Sequence, residues 1–452
     1  MSAPLSDAAS TPQPTWIEQA VAGAILIVLS GALIGPVFAP TQEETPVLRL
    51  IWLPVYAAVL GLLAWRADRV IRAWPAFIAV GLLILLAFAS KWWSIDAEVT
   101  QRRTLALALT SLFAVYLGGV FTGTSLPRLL AITSLVMAIG SLVMIFAFPV
   151  IGVHQDVNAG LWRGLWYEKN QMGAVMVIGA TASAACLASP DPRKLIPLAA
   201  LALTTLLVLA TQSKTSLLCL MVGLGLVGGF WAMRQGGAAF AVAAVWGAVV
   251  LAAAGVWLWE SHSVAILEAL GKDPSLTGRT DIWDSLLRQV AERPMTGFGY
   301  GAFWGRVGES PPADWVRLET NWDVPSAHNG WIDLLVQLGW PGVLLTGAVC
   351  AVAVIATLIR SNGAGPREGW WALGFLGAFI VLSLSESILV GHQSLPWVLF
   401  IAVLTRSLLP AEARAPARLA PAAGRAYQSL PRIAAHSRHG PARRPVLVPR
   451  RP

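Results

Sequence analysis

The stretch AWPAFIAVGLLILLAFAS at residues 73–90 contains no charged side chain. A helix of about 20 apolar residues spans the hydrocarbon core of a bilayer. Comparable apolar stretches lie at 17–39, 49–65, 104–123, 128–150, 171–188, 195–211, 216–233, 238–258, 331–359, 369–390 and 394–409. The sequence therefore predicts an all-α integral membrane protein with about twelve transmembrane helices.

The composition agrees with this class. The chain is 56% hydrophobic and 12% charged, whereas soluble domains carry about 25% charged residues. A membrane β-barrel would instead alternate apolar and polar residues over about ten positions. Cys186, Cys219 and Cys350 all lie inside apolar stretches, so they predict neither a disulfide framework nor a thiolate metal site.

The basic residues predict the orientation, because cytoplasmic loops are enriched in Lys and Arg. With both termini in the cytoplasm, the inner loops contain Arg66, Arg69, Arg72, Arg128, Arg193, Lys194, Arg234, Arg360 and Arg367. The net charge of +8 is concentrated after Pro410. The arginines there predict a disordered cytoplasmic tail that binds anionic lipids. Nucleic-acid binding is not predicted, because no aromatic platform accompanies them.

These patterns divide the chain into five parts. A short N-terminal cytoplasmic segment at 1–16 precedes nine spans within 17–258. A large periplasmic loop at 259–330 follows, with three further spans within 331–409 and the basic tail at 410–452. The large loop is the longest polar interruption between spans. We therefore expect catalytic or substrate-binding residues in this loop.

The large loop predicts a helix that Ser275 or Thr277 caps and Pro294 ends, with an apolar stripe at Trp283, Leu286, Leu287 and Val290. Arg279 would lie in its first turn, where the helix dipole disfavours a cation. An anionic ligand would resolve this conflict, because helix N-termini and arginine both bind phosphate. Glycines at 297, 299 and 301 predict a flexible turn rather than a dinucleotide-binding loop, because no strand precedes them.

His328 and Asn329 stand at the start of the tenth span, about one turn from Asp333. A titratable group at a helix mouth can contact a substrate, although a lone histidine is more often structural. Glu386 is an intramembrane carboxylate, which marks a functional site by default. Its expected partner is one of the arginines on the outer side. The other histidines, namely His154, His262, His392, His436 and His439, lack acidic partners at metal-ligand spacing, so the sequence predicts no metal site.

Further basic residues lie at the outer ends of helices, although Lys and Arg are normally enriched on the cytoplasmic side. They are Arg102, Arg103, Arg163, Lys169 and Lys214. Snorkelling to lipid phosphates is one explanation, and convergence on an anionic substrate is the other. Glycines flank Arg163 within an aromatic segment that equally suits the membrane interface. Lys169 and Asn170 open the sixth span. Lys214 lies in a polar turn that could hold phosphate or simply join two helices.

In this order, the motifs resemble the O-antigen ligase/polymerase superfamily of bacterial envelope glycosyltransferases, including its exopolysaccharide-polymerase branch. The resemblance covers roughly residues 90–400. It rests on Arg102-Arg103, Trp162-Arg163-Gly164, Glu168-Lys169-Asn170, Gln212-Ser213-Lys214-Thr215, Gly278-Arg279-Thr280, Ala327-His328-Asn329 and Gln337-Leu338-Gly339. It implies a GT-C-like, metal-independent and inverting transferase without a cofactor. Such an enzyme acts at the periplasmic face of the bacterial inner membrane.

The resemblance also implies roles for individual residues. Arg163 and Arg279 would hold the pyrophosphate of an undecaprenyl-pyrophosphate-linked glycan donor, and His328 would orient or deprotonate a glycan or lipid acceptor. The remaining substrate-binding candidates are Arg102, Arg103, Lys169, Asn170, Lys214, Asn329 and Glu386. Many members carry arginine where Lys214 stands and histidine where Glu168 stands. Other envelope polysaccharide assembly proteins are possible partners.

Two other classes fit a chain with many spans. A secondary transporter or a polysaccharide or lipid flippase would show an internal repeat with broken helices in both halves. The large loop has no counterpart in the first half of the sequence. A scaffolding protein would leave the arginines and His328 unexplained. The sequence therefore favours the transferase, with the transporter or flippase as the alternative.

The orientation is tested with a phosphatase reporter that is active only outside the cytoplasm. Because the basic loops place both termini inside, a fusion near Pro312 should be active and a fusion near Pro421 should be inactive. The opposite pattern would remove the outward-facing site.

Overall fold

The structure, a computed structural model, describes residues 13–38, 46–155, 158–233, 236–237, 278–363 and 366–409. Within these ranges the chain is helical, and its one extended pairing is an isolated bridge between Val153 and Trp162. The predicted ninth span at 238–258, the caps at Ser275 or Thr277 and the tail at 410–452 lie outside the described residues.

The helices in the described ranges are α1 (Trp16–Leu29), α2 (Pro46–Trp65), α3 (Ala67–Arg72), α4 (Trp74–Ala89), α5 (Ala97–Val120), α6 (Ser125–Ala147), α7 (Pro149–Gly152), α8 (Lys169–Ala188), α9 (Leu195–Thr211), α10 (Lys214–Met233), α11 (Arg279–Glu292), α12 (Pro311–Thr320), α13 (Gly330–Gly363), α14 (Pro366–Ser383) and α15 (Leu395–Leu408). Six of them are long and apolar enough to cross a membrane: α4 with its extension to Trp92, α5, α6, α8, α10 and α13. Shorter apolar helices occupy the predicted spans at α1, α2, α9, α14 and α15. The all-α, multi-pass class is confirmed, and the number of twelve spans stays a prediction.

Small residues allow the interior helices to approach closely. The Cα of Gly118 in α5 lies so close to α15 that an added Cβ would be 2.4 Å from the Ala402 carbonyl oxygen. At Gly179 in α8 an added Cβ would be 2.4 Å from Cβ of Ser134 in α6. Such small-residue contacts are the usual basis of helix association in lipid.

Three predicted spans differ from the structure. The first was expected to reach 39, but α1 ends at Leu29 and a separate π-helix follows at Ile34–Phe38. Gly339 breaks α13 with φ 65° and ψ −167°, and the next amide, Trp340 N–H, donates to the Pro294 carbonyl at 2.9 Å. The break allows α13 to pack against the backbone of Pro294 and Met295, which follows α11 in the large loop. The eleventh span was expected to reach 390, but α14 ends at Ser383. Glu386 therefore lies in the turn between α14 and α15 and not inside a helix.

The described part of the large loop, residues 278–329, has its own hydrophobic core. In this core α11 and α12 pack against the first turns of α13 through Ile282, Leu286, Val290, Phe303, Val316 and Val336. The predicted apolar stripe on α11 is partly wrong, because Leu287 is 46% exposed and Ile282 is fully buried. The core fixes α11 and the start of α13 relative to each other.

The glycine-rich turn at 297–301 is confirmed, and it is packed rather than loose. Phe298 and Tyr300 are buried. The Phe298 and Gly299 amides donate to the Val336 and Gln337 carbonyls at 2.9 and 3.0 Å. Burial raises the pKa of Tyr300, whose hydroxyl donates to the Val390 carbonyl at 2.7 Å. The turn thereby joins the large loop to the turn that contains Glu386.

Gly297 has φ +61°, and an added Cβ would lie 2.5 Å from the backbone carbon of Gln337. Gly297→Ala should cost about 2–4 kcal/mol, because a left-handed conformation and a backbone overlap both oppose the methyl group. Gly308 is the matched control, since it has φ +85° with open space around it, and Gly308→Ala should cost about 1 kcal/mol. Thermal unfolding in detergent measures both. Equal melting temperatures for the two variants would contradict the packing of this turn.

Candidate functional site

The carboxylate of Glu386 has three partners from distant parts of the chain. Its Oε1 accepts a hydrogen bond from Asn170 Nδ2 at 3.2 Å and lies 3.8 Å from Arg279 Nη2. Its Oε2 lies 3.6 Å from His328 Nδ1. These four residues, the Glu386 cluster, lie at the start of α8, α11 and α13 and just after the end of α14. The structure therefore brings four predicted site residues together at one end of the bundle.

The first turns of two helices hold this carboxylate. Asn170 is the second residue of α8 and Arg279 the first of α11, and helix N-termini favour a neighbouring anion. Arg279 also donates through Nη1 to the Ser385 carbonyl at 3.1 Å. The expected arginine partner of Glu386 is confirmed as Arg279. In this structure the carboxylate of Glu386 is therefore the anion that lies beside Arg279 in the first turn of α11.

His328 is held in an unusual conformation. Its φ is +47°, a left-handed value that costs a non-glycine residue about 1–3 kcal/mol. Its ring lies parallel to Trp322, with centroids 5.9 Å apart and an interplanar angle of 5°. Nδ1 is buried and has no hydrogen-bond partner in the described ranges, but it faces Glu386. With the proton on Nδ1, Nε2 is the nitrogen that can accept another proton.

The surroundings of His328 differ from the prediction at two residues, Asp333 and Trp322. Asp333 is buried and accepts hydrogen bonds from Trp304 Nε1 and, at 3.0 Å, from Gln337 Nε2, and the backbone of Ala327 is a further partner of its carboxylate. Trp322 was missed, because it belongs to no motif and stands six residues before the histidine. Its contact with His328 depends on the turn that follows α12.

Asn329 caps α13. Its Oδ1 accepts the Trp331 and Ile332 amides at 3.0 and 3.3 Å, which satisfies two of the backbone donors left open at a helix start. This side chain was predicted to bind substrate. In the structure it fixes the start of α13, directly after His328.

Arg163 lies in the segment between α7 and α8, where it donates to backbone carbonyls and lies 5.9 Å from the centroid of the Tyr167 ring. Nε donates to Ile151 O at 2.8 Å, Nη2 to Val150 O at 3.2 Å and Nη1 to Tyr167 O at 3.4 Å. A guanidinium has five N–H groups, so two remain after these contacts. The carbonyl acceptors are not part of the Glu386 cluster.

The other predicted basic residues occupy separate positions at the same end of the bundle. Arg103 Nη1 donates to the Gly301 carbonyl and thereby connects α5 to the glycine-rich turn. Arg102 and Lys214 are exposed at the starts of α5 and α10. The Lys169 amide donates to His154 Nε2 at 3.2 Å. None of these contacts joins the side chain to Glu386.

A small apolar cavity lies between α8, α10 and α14. Its lining residues include Ala174, Cys219, Phe375, Phe379 and Leu382. Ala174 is one turn from Asn170, and Leu382 is four residues before Glu386. The polar cluster therefore adjoins a space suited to hydrocarbon. Across the described ranges, no group of three or more His, Cys, Asp or Glu residues is placed to hold a metal ion.

The fold defines a multi-pass membrane protein. Its candidate site lies at one end of the helix bundle and contains cationic side chains and a histidine. The family model for O-antigen ligase matches residues 199–347, a segment that includes Lys214, Arg279, His328 and Asn329. The chain is also 25% identical over 361 residues to the exopolysaccharide production protein ExoQ of Rhizobium meliloti (strain 1021), which covers 75% of this chain and 79% of that protein. These findings confirm the resemblance to the O-antigen ligase/polymerase superfamily.

The contacts of Arg163 predict a structural effect of its removal. Arg163→Ala leaves three carbonyls without their donor, which should destabilise the fold by about 1–3 kcal/mol and lower the amount of folded protein in the membrane. The melting temperature of the purified variant measures this effect. An unchanged melting temperature combined with lost activity would show that Arg163 acts on a ligand alone.

Proposed function

We propose that this protein is a metal-independent, inverting glycosyltransferase of surface polysaccharide biosynthesis, acting as a ligase or polymerase. It transfers or polymerises oligosaccharide from an undecaprenyl-pyrophosphate carrier. The arrangement of His328, Glu386 and Arg279 carries the proposal, because it combines a proton acceptor, its orienting carboxylate and a phosphate-binding cation. The similarity to O-antigen ligase and to an exopolysaccharide production protein supports the same role.

In the proposed reaction, His328 Nε2 accepts the proton of the acceptor hydroxyl. The hydroxyl oxygen attacks the anomeric carbon of the donor sugar from the side opposite the diphosphate. The bond between that carbon and the diphosphate oxygen breaks, and its electron pair leaves with the diphosphate. Glu386 stabilises the imidazolium through Nδ1–H, and their 3.6 Å separation would shorten when substrate closes the site.

Arg279 offsets the charge that develops on the departing diphosphate. Preorganised donors of this kind are worth about 3–4 kcal/mol in the transition state. Glu386 prevents Arg279 from turning away while the site is empty. Arg163 with its two remaining N–H groups, Lys214 and Lys169 are the further donors that we propose for the phosphates.

The remaining predicted residues support the site in two ways. Arg102, which is exposed, is proposed to contact the donor glycan. Arg103 holds the glycine-rich turn, Asn329 holds the start of α13, and Asn170 holds Glu386.

The apolar cavity between α8, α10 and α14 is proposed to receive the first isoprene units of the carrier. A lipid-linked donor needs such a space beside its phosphates.

The proposed setting follows from the charge distribution. The protein lies in the bacterial inner membrane with both termini in the cytoplasm, so that the Glu386 cluster faces the periplasm. The basic tail after Pro410 binds anionic lipids by charge attraction, and nucleic acid is not a partner. Other envelope polysaccharide assembly proteins supply the donor and receive the product.

The transporter or flippase alternative has one observation in its favour, the broken helix at Gly339, because transporters use such breaks at substrate sites. Here, however, an added Cβ at Gly339 would lie 2.6 Å from the Met295 backbone, so the break is filled by protein. Glycan analysis of a deletion strain separates the classes. Loss of ligation or polymerisation leaves lipid-linked glycan outside the cytoplasm, whereas loss of transport leaves it inside.

Arg279→Ala should reduce transfer about 100-fold, since the developing charge loses its donor, and Arg279→Lys should also be impaired because an ammonium cannot form the two-pronged contact. The control is Arg288→Ala on the same helix, since Arg288 is 60% exposed and pairs with Glu319 at 2.6 Å. Transfer per unit of purified enzyme is measured. Equal activity of both alanine variants would show that Arg279 only supports the fold.

His328→Ala should keep normal donor binding, because other side chains hold the phosphates. Transfer should fall by about 10²–10⁴-fold, the scale of a positioned proton acceptor, and lipid-linked glycan should accumulate in cells. The matched comparison is His328→Gln, which keeps an amide near Glu386 without a basic nitrogen and should be equally inactive. Wild-type specific activity in either purified variant would contradict the catalytic role.

A further inference from the structure

A shallow groove lies at the opposite end of the bundle. The ends of α5, α13 and α15 and the starts of α6 and α14 form it. Helices α13 and α14 run from the Glu386 cluster at one end to this groove at the other. The groove is therefore separate from the proposed site of transfer.

The groove contains polar groups that the protein leaves unsatisfied. Thr357 and Trp371 are 2% and 3% exposed, and both line the groove. Thr357 Oγ1 and Trp371 Nε1 have no hydrogen-bond partner within the part of the chain that the structure describes. A buried, unsatisfied polar group costs about 1–3 kcal/mol. Two of them facing one groove indicate a ligand that accepts hydrogen bonds.

Two arginines give the groove its charge. Arg360, near the end of α13, donates through Nη1 to the Leu409 carbonyl, and Arg406 lies in the last turn of α15. Both line the groove. An indole N–H and two guanidinium groups can only donate hydrogen bonds, and a hydroxyl can also donate. A ligand that is rich in acceptors and negatively charged matches this set of donors.

The walls of the groove are apolar. They consist of Phe121, Leu126, Pro127, Ala402 and Val403. An inorganic anion would gain nothing from such walls, whereas an amphiphile would bury its chain against them. Basic pockets between transmembrane helices are where anionic lipid head groups bind. The neighbouring leaflet supplies this ligand at high local concentration.

We propose that this groove binds one anionic glycerophospholipid, with its phosphate against Thr357, Trp371, Arg360 and Arg406 and its acyl chain along the apolar wall. The bound lipid joins α13, α14 and α15 to α5 and α6. This proposal is independent of the transferase reaction. It is also distinct from the binding of the basic tail to the membrane surface.

The test compares the melting temperature of the full-length protein in phosphatidylglycerol and in phosphatidylcholine vesicles. The wild type should melt higher in phosphatidylglycerol, because a ligand that binds only the folded state stabilises it. Thr357→Val should melt at or above the wild type in phosphatidylcholine, since it removes an unsatisfied buried group and keeps the shape of the side chain. Trp371→Phe also loses buried volume, so it should melt lower in both lipids and is judged by the difference between them. In phosphatidylglycerol each should lose at least half of the wild-type increment.

Thr346→Val is the matched control. Thr346 is a fully buried threonine of α13 whose hydroxyl also lacks a partner in the described ranges, but it does not line the groove. Its substitution should change the melting temperature equally in both lipids. If Thr346→Val and Thr357→Val respond alike, the groove does not bind the lipid.

Two further arms identify the ligand. Lipid retained by purified protein is measured by mass spectrometry, and Trp371→Phe should retain about tenfold less phosphatidylglycerol, the effect of one lost hydrogen bond to a charged group. A variant with the arginines after Pro410 replaced by glutamine should keep this retention. Loss of retention in the tail variant alone, or retention of polyprenyl phosphate in preference to phosphatidylglycerol, would overturn the assignment.

Discussion

The carboxylate of Glu386 lies between the first turns of α8 and α11 and the imidazole of His328. The arrangement of the site depends on the contacts of this carboxylate with all three. Asn170, Arg279 and His328 belong to helices that are far apart in sequence, and Glu386 is within 3.8 Å of each. Replacement of this carboxylate would leave two cationic or protonatable groups without a counter-charge. One anion therefore organises the proposed phosphate donor and the proposed base together.

The large loop is the second requirement, because it sets the position of His328. The break at Gly339 allows the first part of α13 to pack against α11 and the glycine-rich turn, and Asn329 caps that part. His328, Val390 and Gln393 all have positive φ values, 47°, 49° and 56°, although none is glycine. Strained backbone of this kind persists only where the surroundings determine it. Here it flanks the Glu386 cluster, which is consistent with a preorganised site.

The sequence predicted the elements that arise from local physics. Apolar stretches of membrane-spanning length gave the helices, and the carboxylate of Glu386 predicted an arginine partner on the outer side, which the structure identifies as Arg279. The sequence did not reveal that Asn329 is a cap or that Arg163 donates to the carbonyls of 150, 151 and 167. Trp322 was missed for the same reason. These roles depend on which backbone groups lie nearby in space, and no periodic pattern encodes them. The early end of α14 was missed because apolar residues continue past Ser383.

The most direct test is a double-mutant cycle between His328 and Glu386, measured as transfer per purified enzyme on a lipid-pyrophosphate glycan. Glu386→Gln keeps the shape of the side chain and removes its charge. If Glu386 orients His328, adding Glu386→Gln to His328→Ala should slow transfer by a smaller factor than Glu386→Gln does in the wild type, because the carboxylate has no base left to orient and only its contact with Arg279 is still lost. Independent, multiplicative losses in the double variant would contradict the account.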